Sequence, residues 1–524
     1  MADQFKITYS TMSVDNAQLH ADFDKGIEVI KSKIGTTYPL LIGGKERMAA
    51  ETFPVLSPTD TRLPLSHFPK ATRQDVKDAI AAAKQAYPVW KKTDYKKRIG
   101  ILNKAADMIS GNRYELSAMM AMEMGKNRVE ALGDVEETAD LIRYYCYQMD
   151  QNEGFIRVMN SYGEKDTNVS ILKPYGVWAV IAPFNFPLAL AGGPVAAALV
   201  TGNTVVLKPS SDAPYTSYMM VEYLIEAGIP PGAVNFITGP GSTSGAELIE
   251  NPEVAGVTFT GSYDVGFKNV YKNFATKYPK PILVEMGGKN PAIISEKADL
   301  EKAAIGVVRS AFGLGGQKCS ACSRVYIQRS VYDAFMEKLA AKTRDVVKVG
   351  DPLNKDTFLG PLVNKGAYED YKRFAEVAKR DGKIVLGAEV LTDGDWANGY
   401  FVAPTIVDGL PQNHELVQTE LFVPILVALP FDTLDEAMMK ANGVDYGLTA
   451  GFFSEDEKEV EWFLDNIEAG VVYVNRPAGA TTGAWPGYQT FGGWKASGSS
   501  GRNIGGPWTL LNYLREQSQT IIRS

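Results

Sequence analysis

GVWAVIAPFNFPLALAGGPVAAALVTGNTVVLKPSS, residues Gly176–Ser211, decides the fold. Two short apolar runs, Val177–Ala182 and Thr204–Leu207, have the length and composition of buried strands, and a helical pattern lies between them. The alternation continues downstream. Further strands are predicted at Val234–Thr238, Gly256–Thr260 and Ile282–Met286. A helix is predicted over Thr216–Ala227, with Gly228 as its C-terminal cap. Strands alternating with helices pair in parallel, so the stretch Gly176–Gly288 predicts an α/β fold with a doubly wound sheet. Such sheets bind ligands beyond the carboxyl ends of their strands, so the informative residues should follow each strand.

Upstream, the first forty residues read as a polar helical lead-in to TTYPLLIGGK, a short strand with a Gly-Gly turn. Thr72 and Asp75 form a capping-box-like pair, followed by apolar Val76, Ile80, Ala83 and Tyr87 at helical spacing. A second amphipathic helix covers Val135, Ala139, Ile142, Cys146 and Met149, which makes Cys146 a core thiol. Between Gly154 and Gly176, β-favouring runs flank the turn-prone YGEKD and predict a hairpin that leaves the domain. Downstream, a second α/β alternation runs from about Ala298 to Asn475. After a Gly- and Ser-rich stretch, the chain closes on an exposed β segment that needs an edge to pair with.

Composition sets the outer limits. The chain has 524 residues, 45% hydrophobic and 22% charged, with 54 Lys and Arg against 61 Asp and Glu, a net charge of −7. That is an ordinary globular composition, long enough for two to four domains of roughly 150 residues. The acidic balance disfavours a nucleic-acid partner. No window approaches the roughly 18 consecutive apolar residues of a membrane span. The start, MADQFKITYSTMSVDNAQLH, lacks a signal-like apolar run, so a cytoplasmic location is expected. Cys146, Cys319 and Cys322 are too few for a disulfide scaffold. His20, His67 and His414 are scattered, so no metal site is expected.

The strand ends carry PFNFP (Pro183–Pro187), KPSS (Lys208–Ser211), FTGSYDVG (Phe259–Gly266) and EMGGKNP (Glu285–Pro291), with GQKCSACSR (Gly316–Arg324) a little further on. No GxGxxG follows a strand, and no Walker A sequence occurs. Gly261-Ser262 still opens a helix whose amides could hold a pyrophosphate; alone, the pair is equally a plain strand-to-helix turn. Cys319 follows a Gly-rich run with Lys318 adjacent, a cation expected to lower the thiol pKa. A lone cysteine is more often buried structure, and Cys319 with Cys322 also forms a C-x-x-C, the spacing of a redox pair or half a metal site. Glu285 is either an ion-pairing group or a general base. A nucleophilic Cys with a Glu that activates water makes a complete set for acyl-enzyme chemistry. Asn185 is either a turn residue or an oxyanion donor.

These segments, in this order and over nearly the whole chain, resemble the aldehyde dehydrogenase superfamily, as do ELFVP (Glu420–Pro424) and YGLTAGFFS (Tyr446–Ser454). The resemblance implies Cys319 as nucleophile, Glu285 as the base for the deacylating water, and Asn185 with the Cys319 N–H as oxyanion hole. It implies NAD or NADP, with Lys208 at the adenine ribose, Gly261 and Ser262 at the pyrophosphate, Glu420 at the nicotinamide ribose and Phe422 against the ring. Ser211 stands where many NAD-preferring members have Glu, so NADP is expected to be tolerated. The family's three parts would be a dinucleotide-binding domain (1–153 and 177–287), a catalytic domain (288–498) and a β oligomerisation flap (154–176 and 499–524). A homo-oligomer through the flap strands would follow.

Three regions are most similar to the 1-pyrroline-5-carboxylate dehydrogenase branch: the lead-in, GQKCSACSR, and Thr482–Trp508 with its anchor-like loop. The resemblance implies oxidation of glutamate semialdehyde to glutamate. Gly483 and Ala484 amides, Lys318 and Ser320 would hold the polar end, and Phe186 and Phe491 would form the walls. The resemblance puts Asp134 at an acidic position occupied by Glu in some members. Ala484, Pro486 and Thr490 depart from the branch pattern, which leaves another small polar or acidic aldehyde as the alternative. A CoA-acylating member would have no need of Glu285, and a non-catalytic homologue would have no need of Cys319.

Overall fold

A computed structural model of the chain describes residue 8 and residues 16–163, 165–499 and 501–523. Most of the lead-in before residue 16, Glu164 in the YGEKD turn, and Ser500 therefore lie outside the described residues. Two seven-stranded sheets organise the rest. The first runs, edge to edge, Ile282–Glu285, Val254–Thr260, Val177–Ile181, Thr204–Lys208, Val234–Phe236, Leu40–Ile42 and Lys45–Arg47. Its first five strands are parallel, and the last two add an antiparallel hairpin turned by Gly43 and Gly44, both at positive φ. The five strands predicted from the apolar runs are all present, with ends shifted by a residue or two. One of them begins at Val254, ahead of an irregularity in its pairing.

This strand order has a switch point. From Val177–Ile181 the chain winds outward through Thr204–Lys208 and Val234–Phe236, then crosses back to pair Val254–Thr260 with the other side of Val177–Ile181. Two connections therefore leave the sheet in opposite directions above adjacent strand ends, which opens a crevice there. PFNFP and Gly261-Ser262 border that crevice.

The last strand of the first sheet passes through Met286–Lys289 straight into Asn290–Ile294 of the second sheet. That sheet runs Lys383–Leu386, Thr405–Asp408, Ile425–Phe431, Cys322–Gln328, Asn290–Ile294, Thr449–Phe453 and Val471–Val474, parallel apart from the first pair. The site sequences therefore cluster where the chain crosses between two sheets.

The expected hairpin, Ile156–Val158 with Asp166–Pro174, is joined by Leu514–Ile522 over a full nine-residue antiparallel register. The exposed terminal β segment thus finds its edge. Trp178 anchors this tail to the first sheet. Its indole N–H donates to Thr258 Oγ1 at 2.9 Å, and the Tyr513 ring packs 4.5 Å away. A further small sheet, Thr36–Thr37, Pro64–Pro69 and Thr52–Leu56, was not anticipated from the sequence. The helix after Thr72 spans Arg73–Trp90 behind a reciprocal Thr72–Asp75 cap, and the second amphipathic helix spans Arg128–Gln151. Among the described residues, no helix is long and apolar enough to cross a membrane.

Candidate active site

Cys319 sits in a turn that needs its glycines. Leu314, Gly315 and Gly316 all have positive φ, and a Cβ on Gly316 would lie 2.6 Å from the Val423 carbonyl oxygen. The turn can therefore press against ELFVP only because Gly316 lacks a side chain. The same holds across the crossover. A Cβ on Gly287 would meet Glu420 Oε2 at 2.0 Å, and one on Gly288 would meet the Cys319 carbonyl oxygen at 2.5 Å. EMGGK, GQKC and ELFVP thus converge on one spot from three distant parts of the chain.

Side-chain amides and hydroxyls then lock the segment around Cys319. Asn290 Nδ2 donates to the carbonyls of Cys319 (2.7 Å) and Ala321 (2.9 Å). Thr481 Oγ1 donates to the Ser320 carbonyl at 2.7 Å. The Val363 N–H donates to Gln317 Oε1 at 3.0 Å. Asn290 and Thr481 were assigned no part in the sequence reading, although Asn290 lies inside the quoted EMGGKNP. A buried Asn beside the turn that carries Cys319 was the available signal.

The electrostatics correct one expectation. Lys318 does not lower the thiol pKa. Its ammonium turns away and pairs with Glu130 Oε1 at 2.5 Å. Burial, followed by the neighbouring carboxyls of Glu420 and Glu285, pushes the Cys319 thiol up to about 12. Adjacent residues in a tight turn point in different directions, so chain adjacency was a poor guide to charge proximity. Cys322 belongs to the core of the second domain-like layer, and its thiol donates to the Arg324 carbonyl. Both cysteines are free.

Glu285 ends its strand in register with Thr260. Desolvation pushes its carboxyl up to about 8, countered by the Gly493 N–H, and Oε2 has no hydrogen-bond partner among the described residues. A base poised this close to neutrality with a free oxygen suits proton abstraction from water. Asn185 is buried (3% exposed), in the loop that follows the strand Val177–Ile181.

The dinucleotide candidates lie beyond the carboxyl ends of the first sheet. Lys208 is buried, and its ammonium donates to the Pro209 carbonyl. Burial pulls its pKa down to about 8. Ser211 donates to the Gly239 carbonyl at 3.4 Å. Ser262 caps the short helix Tyr263–Val265 through the Val265 N–H, and the Gly261 N–H donates to the Glu285 carbonyl. Glu420 accepts the Gly288 N–H at 2.8 Å, and burial raises its carboxyl to about 7. Phe422, at positive φ, meets Phe184 edge-on at 5.9 Å. A lysine and a glutamate that are poorly solvated and lightly hydrogen-bonded fit the hydroxyls of two riboses, so this donor set suits a nicotinamide dinucleotide.

A cavity of about 70 Å³ opens on Cys319. Of the proposed substrate residues, Phe186, Ser320, Gly483, Ala484 and Phe491 line it, together with Glu137, Trp485 and Pro486. Lys318 does not. Asp134 does not either: it is fully buried and bonded to Lys126. The acidic lining residue is Glu137, one turn further along the same helix, which the sequence reading missed by three positions. The anchor-like loop is braced from outside. Arg476 Nη2 donates to the Gly483 carbonyl at 3.0 Å, and the Trp485 indole donates to Asp140 Oδ2 at 2.8 Å.

Comparison with known proteins agrees with this arrangement. The model of the aldehyde dehydrogenase family matches residues 46–519. The chain is 36% identical over 504 residues, 95% of each chain, to a protein of Geobacillus sp. (strain WCH70) named 1-pyrroline-5-carboxylate dehydrogenase. It is 37% identical, again over 95% of each chain, to one of the same name from Anoxybacillus flavithermus. A solved structure described as 1-pyrroline-5-carboxylate dehydrogenase from Thermus with bound NAD superposes with a TM-score of 0.93, at 33% identity and full coverage of both chains.

Proposed function

The chain belongs to the aldehyde dehydrogenase family, and from that premise we propose that it oxidises L-glutamate 5-semialdehyde, the open form of 1-pyrroline-5-carboxylate, to L-glutamate. The observation that carries the reading is the cavity, whose mostly apolar lining brings together Cys319, Glu137, Gly483 and Ala484. Phe186 and Phe491 would flank the methylenes. Ser320 and the backbone amides of Gly483 and Ala484 would take the carboxylate, and Glu137 would face the ammonium. Lys318 has no part in this, because its charge is answered by Glu130. The names borne by full-length relatives at 36–37% identity support the same substrate.

In this mechanism the Cys319 thiol releases its proton to water and the resulting thiolate sulfur adds to the aldehyde carbon. The thiohemiacetal oxygen is held by the Asn185 amide and the Cys319 N–H, placed before the charge develops. Lys208, Ser211, Gly261, Ser262, Glu420 and Phe422 would hold the dinucleotide, whose oxidised nicotinamide supplies a hydride acceptor. Loss of hydride leaves a thioester on Cys319. Glu285 takes a proton from water, the resulting hydroxide attacks the thioester carbonyl, and the carboxylate leaves as the thiol is restored. We further divide the chain into cofactor (1–153, 177–287), catalytic (288–498) and flap (154–176, 499–524) parts. The exposed Ile156, Val158 and Ile521, which the strand registers put on one face of the flap sheet, would give a second copy an apolar face.

Two measurements check the specificity. Against pyrroline-5-carboxylate, succinic semialdehyde, glyceraldehyde and hexanal, the first should give the highest kcat/KM, by about 100-fold or more over hexanal, because polar groups built for the substrate's charged end stay unpaired with an alkyl chain. A preference for hexanal or glyceraldehyde would remove the assignment. On the cofactor side, Ser211 carries no charge, so both NAD and NADP should support turnover. Ser211→Glu should lower kcat/KM for NADP by about ten-fold or more while sparing NAD, through repulsion of the 2′-phosphate. Complete rejection of NADP by the unaltered protein would overturn this.

A further inference from the structure

The segment 185–189, which carries both Asn185 and the cavity wall Phe186, is gripped at its two ends by one buried ion pair. Lys126 Nζ donates to the Asn185 carbonyl at 2.8 Å and lies 3.8 Å from the centre of the Phe186 ring. Asp134 Oδ1 accepts the Ala189 N–H at 2.8 Å. Lys126 Nζ and Asp134 Oδ2 meet at 2.8 Å, and neither side chain is exposed at all. One turn earlier on the same helix, Glu130 accepts from Lys318 Nζ and from the Leu314 N–H (3.2 Å), at the start of the nucleophile turn. Residues 130 and 134 are four apart, hence on one helix face. A single rigid helix therefore holds the nucleophile turn through one residue and the Asn185 loop through the next.

We propose that Lys126 and Asp134 are positioning residues of the reaction, which fix the Asn185 amide relative to Cys319 by clamping residues 185–189 to the long helix. The proposal rests on the reading of Asn185 as oxyanion donor. A buried ion pair of this kind is a poor device for stability, since desolvation offsets most of the attraction. What it supplies, and a pair of apolar side chains does not, is a donor for one backbone carbonyl and an acceptor for one N–H at a set separation. Misplacing a preorganised donor by about 1 Å costs on the order of 100-fold in rate.

The test is single-turnover aldehyde oxidation by Lys126→Met and Asp134→Asn, alone and combined with Asn185→Ala. Each single variant should lose about 10- to 100-fold in the rate of reduced-cofactor formation. The KM for NAD and the rate of Cys319 alkylation by iodoacetamide should stay unchanged, since neither depends on the Asn185 amide. In the Asn185→Ala background, Lys126→Met should cost little more, because the group it positions is gone. If the losses multiply in full, or if the variants turn over normally, the clamp has no part in the reaction. If Asn185→Ala is itself unimpaired, the oxyanion reading falls, and the clamp proposal with it. Should one unpaired buried charge prevent folding, Lys126→Met/Asp134→Leu removes both charges and takes the same assays, with the same expected loss.

Discussion

Cys319→Ala will lose aldehyde oxidation by about 10,000-fold or more, because it removes the thiol that opens on the cavity and, in the proposed mechanism, forms the covalent intermediate. Cys322→Ala will keep most of it. The two thiols stand three residues apart, but only Cys319 opens on the cavity; Cys322 is packed in the core and bonded to the Arg324 carbonyl. Removing the Cys322 sulfur should cost stability, about 1 kcal/mol, with kcat nearly intact. Steady-state rates and thermal midpoints for the two variants, with NAD binding as a check on folding, separate the outcomes. An inactive, folded Cys322→Ala beside an active Cys319→Ala would reverse the assignment. The resting thiol is neutral at pH 7, since burial and two carboxyls hold it near 12. Alkylation of the cofactor-free enzyme should accordingly be slow and should accelerate steadily with rising pH.

Glu285→Gln should uncouple the two halves of the reaction. In the proposed mechanism acylation needs Cys319 and the oxyanion donors, and deacylation needs the base. The variant should release one reduced cofactor per site in a burst and then turn over about 100- to 1000-fold more slowly, the range for removal of a general base. The thioester that accumulates should be trapped by hydroxylamine. The pH dependence follows from the same burial. Desolvation holds the Glu285 carboxyl at about 8, so below that pH the group is mostly protonated and cannot accept a proton. Deacylation should therefore rise with pH and level off above about 8 in the unaltered protein, and Glu285→Gln should lack that limb. An undiminished steady state in Glu285→Gln would take Glu285 out of the deacylation step.

Much of this was legible in local sequence, and the reason is physical. The strands Val177–Ile181 and Thr204–Lys208 are central and buried at nearly every position, so each carries a short apolar run bounded by turn residues. The helix over Tyr215–Ala227 ends at Gly228 because that residue has positive φ, a requirement visible in a single letter. Parallel pairing then follows from alternation, and the place of the site follows from the parallel sheet. The small sheet built from Thr36–Thr37, Thr52–Leu56 and Pro64–Pro69 escaped notice. Two of its three strands are very short or interrupted by proline, and most of its first two strands is exposed, so it carries little hydrophobic signal.

The sequence by itself determined the α/β alternation and placed Cys319, Glu285 and Asn185 at or near strand ends, because these depend on neighbours within a few positions; the three were singled out by the order of motifs along nearly the whole chain, through its resemblance to the aldehyde dehydrogenase superfamily. Tertiary structure alone decided who faces whom. Lys318 is chained to Cys319, yet its ammonium pairs with Glu130, 188 positions away. Asp134 and Glu137 are both acidic and three apart on one helix, yet one is bonded to Lys126 under the Asn185 loop and the other lines the cavity. The terminal strand needed an edge, and only the folded chain shows it lying against Asp166–Pro174. Covalent adjacency constrains the backbone to a few ångströms, but a side chain's partner is chosen by packing and charge from everything the fold brings near. That choice is long-range, and no local pattern encodes it.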